Sequence, residues 1–241
     1  MIVKTRAVVL HHIKYAETSI IATLYTEAFG RQAYMINGIR SLKSKQKSSH
    51  FQPLTLLEAE VYHKPARELQ RIKEYRLSHI PHSIPFNMAK SAVSMFLAEV
   101  LFKTLRSEES DKALFDFIWE AVVYFDSMDS GASNFHLWFL LKMAAYLGFK
   151  IETNASSLNR WFDLEGGDFV YTRPHFENTP NIEESEHIAN FADMPAHQMH
   201  VYSLSGASRS RLLQIIIAYY AIHFDSMGTI NSLEILQELF R

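Results

Sequence analysis

The spacing of apolar residues changes period near Pro81 and Pro85, and this change constrains the fold more than any other feature. Before it the chain reads as short strands. Ile2 to Ile13 is rich in β-branched residues, and Thr18 to Thr26 is a second such run. Glu27 to Gly30 is a turn closed by glycine. Arg31 to Ile39 is a third run, with Gly38 placed for a bulge or bend. In Pro53 to His63, Leu57, Ala59 and Val61 alternate with Glu58 and Glu60, the period of two expected of a half-buried strand. Leu69 to Ser78 is a fifth candidate strand, with helix left open there. Five short strands in a small unit suit a closed barrel of the OB type, which binds nucleic acid on one face.

Beyond Pro85 the period becomes helical. Ala89, Val93, Phe96, Leu97 and Val100 share one face of a helix over Asn87 to Leu105, and Met88, Met95 and Phe102 form a second stripe. Ala113 to Met128 is the next helix, with Ser110 or Asp111 as its N-cap. Asn134 to Leu147 ends at Gly148, a suitable C-cap. Further helices are expected over Glu183 to Ala192, Ser208 to Phe224 and Ser232 to Phe240. The expected fold is therefore α+β. An OB-fold barrel in residues 1–80 is followed by an all-α helical domain in 81–241, with an irregular, cysteine-free insert near 149–180.

Charge divides at the same place. Residues 1–80 carry 13 Lys+Arg against 6 Asp+Glu, a net of +7, and residues 81–241 carry 11 against 20, a net of -9. The overall value of -2 hides a basic module joined to an acidic one. Only the first is expected to face a polyanion, with the second repelling it and leaving its surface to proteins.

Several chemistries are excluded or disfavoured. Without cysteine there is no disulfide, thiolate metal site or cysteine nucleophile. No glycine is followed by lysine, so a Walker-type site is absent, as are GxGxxG, HExxH and GxSxG. His197 and His200, with His175 and His187 upstream, invite a metal reading. They lack a carboxylate consensus and are expected to be solvated or core histidines. The acids Glu183, Glu184, Glu186 and Asp193 read as a solvated run rather than a paired-carboxylate centre. MIVKTRAVVLHHIKY scatters charges through its apolar run, unlike a secretory signal, and no stretch of 18 apolar residues occurs. These features suit a cytoplasmic protein with no cofactor and no membrane span.

The clearest positive signal lies between Glu27 and Glu58. That window holds Arg31, Arg40, Lys43, Lys45 and Lys47 and no acid. Its core, IRSLKSKQKSSHFQP, interleaves cations with Ser and Gln, which suits contact with phosphates rather than base readout. Tyr25, Tyr34 and Phe51 lie nearby. Tyr34 is the aromatic expected to stack a base, with barrel core as its alternative. In the second half, FHLWFLLKMAAYL and LLQIIIAYYAIHF are apolar almost all round and mark central helices. Lys142, Arg209 and Arg211 are candidate rim residues of a partner-peptide groove there.

Taken in order, Tyr15, Glu17, Thr18, Leu24, Thr26, Gly30, Arg31, Gly38, Arg40, Pro53 and Leu54 resemble the N-terminal pattern of the RecO family of repair proteins. The ending HFDSMGTINSLEILQEL is similar to that family's last helices. The resemblance implies an OB domain that binds single- and double-stranded DNA and a helical domain. It implies strand annealing and no catalysis. The partners it implies are the C-terminal tail of single-stranded DNA-binding protein and RecR, often with RecF, in loading RecA. It also implies bacterial, nucleoid-associated work, with Arg31, Arg40, Lys43, Lys45 and Lys47 as DNA contacts. One departure is clear. Many members carry a four-cysteine zinc module after the helix ending near Gly148, whereas IETNASSLNRWFDLEGGDFVYTRPHF keeps Gly166-Gly167 but no cysteine. Trp161, Phe162 and Phe169 are expected to replace the metal with an apolar cluster. The alternatives are an OB-fold RNA-binding protein, or a hydrolase built on Glu183 and Asp193.

Overall fold

The structure, a computed structural model, describes residues 1–39, 48–105, 109–153, 159–175 and 178–239. Its first strands are β1 (Ile2–Tyr15), β2 (Ser19–Thr26), β3 (Gly30–Ile36), β4 (Leu56–Tyr62) and β5 (Leu69–Leu77). They close a barrel in the order β1-β2-β3-β5-β4. The architecture is the expected one, an OB-type barrel followed by helices. The segment left open between strand and helix, Leu69–Leu77, is a strand. It pairs antiparallel with β4 and parallel with β3, and so closes the barrel.

Period two makes the barrel because alternate residues meet inside it. Ala7 and Val9, Ile20, Ala22 and Leu24, Tyr34 and Ile36, and Leu57, Ala59 and Val61 all face one core, joined by Ile39 and Phe51. A register shift between Val9 and His11 lets the long first strand serve two neighbours. Its first part pairs with β4 and its second with β2. The turn before β3 is tied by the Thr26 hydroxyl. That hydroxyl donates to the Gly30 carbonyl at 2.9 Å and accepts from the Phe29 amide at 3.1 Å. Gly38 lies past the end of β3, where its φ of +71° turns the chain rather than bulging the strand.

The chain divides into two compact units, residues 1–127 and 128–241. The first contains the barrel and two helices, α1 (Met88–Thr104) and α2 (Lys112–Ser127). Asn87 caps α1 by accepting from the Lys90 amide. Asp111, rather than Ser110, caps α2, accepting from the Leu114 amide at 2.9 Å. The connection from β5 to α1 is folded around Asp126. The buried carboxylate accepts from the amides of His82, Ser83 and Ile84 at 2.7 to 2.9 Å and meets His79 Nε2 at 2.8 Å.

The second unit holds α3 (Phe135–Tyr146), a two-residue ribbon β6 (Trp161–Phe162) and β7 (Phe169–Val170), and α4 (Ile182–Asp193). It continues with α5 (Gly206–His223) and α6 (Ser232–Leu239). The apolar circumference of α3 is explained by burial on almost every side. Two buried polar side chains inside this unit find backbone partners: Trp138 Nε1 donates to the Met194 carbonyl, and the Tyr220 hydroxyl to that of Leu140. In the cysteine-free insert, Phe162 and Phe169 are buried against each other at 5.3 Å between centroids, and Phe162 also packs on Tyr219. Trp161 is only half-buried. Gly167 must be glycine: its φ is +69°, and a Cβ there would lie 2.6 Å from the Tyr219 hydroxyl.

Candidate nucleic-acid interface

Register places the outward side chains of β1, β2 and β3 in rows. Val8, Tyr25 and Arg31 form one row, and His11, Thr23 and Ala33 the next. Ile13, Ile21, Met35 and Arg71 form a third, and Tyr15 stands opposite Ser19 at the hairpin end. Residues two apart on a strand share a face, so these rows make one continuous surface.

The protein's own helices cover one end of this surface. Arg31 donates to the carbonyls of Phe102 and Leu105, each at 2.9 Å, and its guanidinium lies 4.3 Å from the centre of the Phe102 ring. Tyr25 packs on Phe115, and His11 touches Phe102. Arg6 ties barrel to helix through Glu27 at 2.9 Å and Asp116 at 2.7 Å, and these carboxylates hold its pKa above the usual arginine range. In the remaining rows Ile13 and Tyr15 are exposed, Ile21 and Met35 are partly buried, and Ser19 is buried.

Apart from Arg31, the barrel's cations among the described residues fall into two groups. Lys4 and Lys73 contact Glu60, Arg76 contacts Glu58, and Arg6 contacts Glu27 and Asp116, so the outer face of β1, β4 and β5 is a ladder of neutralised pairs. Hydrogen bonds from Arg76 and Lys73 hold Glu58 and Glu60 below the usual carboxylate range. Lys14, Lys64, Arg67 and Arg71 are exposed and have no carboxylate partner among the described residues. Lys14 adjoins the β1–β2 hairpin turn, and Lys64 and Arg67 lie in the β4–β5 connection. These two connections are the ones that flank the ligand face of an OB barrel.

Of the residues expected to bind DNA, Arg40, Lys43, Lys45 and Lys47 lie outside the described residues. Arg31 is the anchor between barrel and α1 just described. Tyr34 is a correction: it is 0 % exposed in the barrel core, and burial pushes its phenol up to about 12. A ring with no exposed face has nothing to offer a base, because its position on β3 is an inward one. The sequence reading missed Lys14, Lys64, Arg67 and Arg71. The signal for the last three is the run KPARELQR at a strand junction, in which three cations stand against the one acid Glu68.

Each of the three candidate rim residues donates within its own unit. Lys142 Nζ donates to the Ala192 carbonyl at 2.6 Å, and burial lowers its pKa. Arg209 donates to Asn134 and the Leu204 carbonyl, and Arg211 to Glu184 and Asn178.

The acidic run likewise has structural partners. Asn181 and Glu184 form a reciprocal cap on α4, and Asp193 accepts from Thr153. Among the described residues no group of three or more His, Asp or Glu side chains is placed to hold a metal. His200 Nδ1 contacts the His197 carbonyl, and His187 Nδ1 the Tyr202 hydroxyl. No helix among the described residues is long and apolar enough to cross a membrane.

Comparison with known proteins agrees with this geometry. A family model described as recombination protein O, N terminal, matches residues 1–81, and its C-terminal counterpart matches residues 85–229. The DNA repair protein RecO of Bacteroides fragilis is 34 % identical over 241 residues, covering the whole of both chains. Those of Phocaeicola vulgatus and Flavobacterium psychrophilum are 35 % and 34 % identical, again over the full length of each.

Proposed function

This chain belongs to the RecO family of DNA repair proteins, and from that premise we propose that it binds DNA through its barrel and anneals complementary strands as a recombination mediator. One observation carries the reading: a closed OB-type barrel with Lys14, Lys64, Arg67 and Arg71 exposed and lacking carboxylate partners among the described residues. Cations already locked to Glu58 or Glu60 release few counterions on meeting a phosphate, whereas unlocked ones release theirs in full. Arg40, Lys43, Lys45 and Lys47 add to the same phosphate-binding group by sequence.

In this reading residues 1–80 are the DNA-binding module, and the helical residues 81–241 serve protein contacts. The partners are the C-terminal tail of single-stranded DNA-binding protein and RecR, with RecF, in the loading of RecA. The work is done in the bacterial cytoplasm at the nucleoid. The mechanism is electrostatic. Two strands neutralised on one basic surface lose their mutual repulsion, and their bases can pair. No bond is made or broken, so no residue is catalytic.

The test is annealing of complementary strands coated with single-stranded DNA-binding protein. Acceleration by this chain that disappears when the coating protein lacks its C-terminal tail is the expected result. Equal rates with and without the chain overturn the reading.

A further inference from the structure

The second apolar stripe of α1, Met88, Met95 and Phe102, is covered at one end only. Phe102 lies under the Arg31 guanidinium, whereas Met88 and Met95 are exposed. Beside them, within residues 1–127, is a cavity of about 570 Å³. Leu54, Ile80, Ile84, Phe86, Met95 and Val122 line it, so it sits where the β3–β4 and β5–α1 connections meet α1 and α2. Its volume is within the range of about 300 to 1,000 Å³ typical of ligand sites.

The walls are fixed before anything arrives. Pro53, Pro81 and Pro85 restrict the backbone of both connections. Leu54 keeps a left-handed φ of +60°, unusual for a side chain of its bulk, and its amide is tied to the Val9 carbonyl at 2.8 Å. The Ser91 hydroxyl donates to the Ile84 carbonyl at 2.7 Å, and the Ile84 amide donates to Asp126. A wall held in this way loses little freedom when it is filled.

Charge and rim decide the occupant. Among the described residues no Lys, Arg, Asp or Glu lines the cavity, so an acidic tail or a phosphate chain finds no counter-charge in it. The occupant is therefore uncharged. Ile80 and Phe86 border the cavity yet are 68 % and 84 % exposed, and Met88, on the face of α1 that carries Met95, extends the apolar surface outward. A small molecule held in the cavity leaves these side chains in water. A chain segment covers them while one of its side chains fills the cavity, as an anchor does at a peptide interface.

We propose that this cavity seats an uncharged aromatic or aliphatic side chain of a partner protein, whose flanking apolar residues lie on Ile80, Phe86 and Met88. The site shares no residue with the cations assigned to DNA, so it stands apart from the DNA-binding reading and leaves both surfaces usable at once.

Methyl-labelled methionine in the full chain reports the site, because Met88 and Met95 stand at its edge whereas Met143, Met199 and Met227 are buried in residues 128–241. The probes are the capped peptide acetyl-Leu-Trp-Leu-amide, its all-glycine counterpart, and indole. The tryptophan peptide is expected to shift the Met88 and Met95 signals saturably, and the glycine peptide to leave them in place. Indole reaches the cavity but not the rim, so it should bind about tenfold more weakly than the tryptophan peptide. Ile80→Ser together with Phe86→Ser should weaken the tryptophan peptide by about tenfold. Both side chains are largely in water, so the melting temperature, indole binding and affinity for oligothymidylate stay nearly unchanged. The proposal is overturned by the absence of a saturable shift, by indole binding as tightly as the peptide, or by a double variant that binds the peptide as the native chain does. Met88 and Met95 shifts that instead follow the chain's own concentration assign the face to a second copy and overturn it as well. A loss of oligothymidylate affinity in the double variant overturns its separation from the DNA surface.

Discussion

Asp126 shows how one buried side chain organises a connection. Three consecutive amides, of His82, Ser83 and Ile84, point at a carboxylate that is hardly exposed. Burial alone would raise its pKa, but these amides and His79 favour the charged form and hold it well below the usual carboxylate range. A depressed folded-state value contributes stability above the unfolded value, near 3.9, and that contribution is lost as the pH falls toward the folded value. Asp126→Asn puts an amide donor against backbone donors and is expected to destabilise residues 1–127 by about 2 kcal/mol at neutral pH. The substituted chain should also lose less stability on acidification below about pH 4, where Asp126 gives up its share. Urea unfolding followed across that pH range checks both. Gly167 is a second such position. Gly167→Ala combines a left-handed φ with a 2.6 Å approach to the Tyr219 hydroxyl, and the expected cost is about 2 kcal/mol, read as a lower melting temperature.

Among elements, the β6–β7 ribbon shows what stabilises the insert without cysteine. Phe162 is buried between Phe169 and Tyr219, its amide donates to the Ser185 hydroxyl, and Gly167 closes the turn under the Tyr219 ring. Trp161 points to a half-exposed position on the same strand. Phe162→Ala is accordingly expected to cost about 3–5 kcal/mol, and Trp161→Ala much less. Neither should change DNA affinity, because both lie outside residues 1–127. Thermal melting beside a DNA titration separates the two effects. The sequence reading placed Phe162 and Phe169 in an apolar cluster with Trp161, and it missed Tyr219. It did not rank its members, because strand alternation decides which side chain turns inward and a two-residue strand gives no period to count.

For the molecule as a whole, charge is divided between the units. Residues 1–127 carry 17 Lys+Arg and 13 Asp+Glu, and residues 128–241 carry 7 and 13. Counterion release then predicts where salt matters. Reversal of Lys43, Lys45 and Lys47 to Glu should weaken single-strand binding at low salt and reduce the logarithmic salt slope by about 2, at about 0.7 per phosphate contact. The same treatment of Lys4, already held by Glu60, should leave the slope nearly unchanged. Affinity measured across a salt series checks this, and an unaltered slope in the triple variant removes these lysines from the DNA-binding group.

Element positions, the barrel, the helical remainder and the family were readable from order and period. Strands and helices bury one face by a local rule that the chain itself displays. The roles of single residues were decided only in three dimensions. Tyr34 occupies the other side of β3 from its neighbours Ala33 and Met35, and closure of the barrel fixes that side as core. Arg31 is bound by carbonyls 71 and 74 residues away, and Lys73 meets Glu60 across a strand pair. Long-range pairing determines which cations are spent and which apolar side chains stay uncovered, and no spacing along the chain encodes those distances.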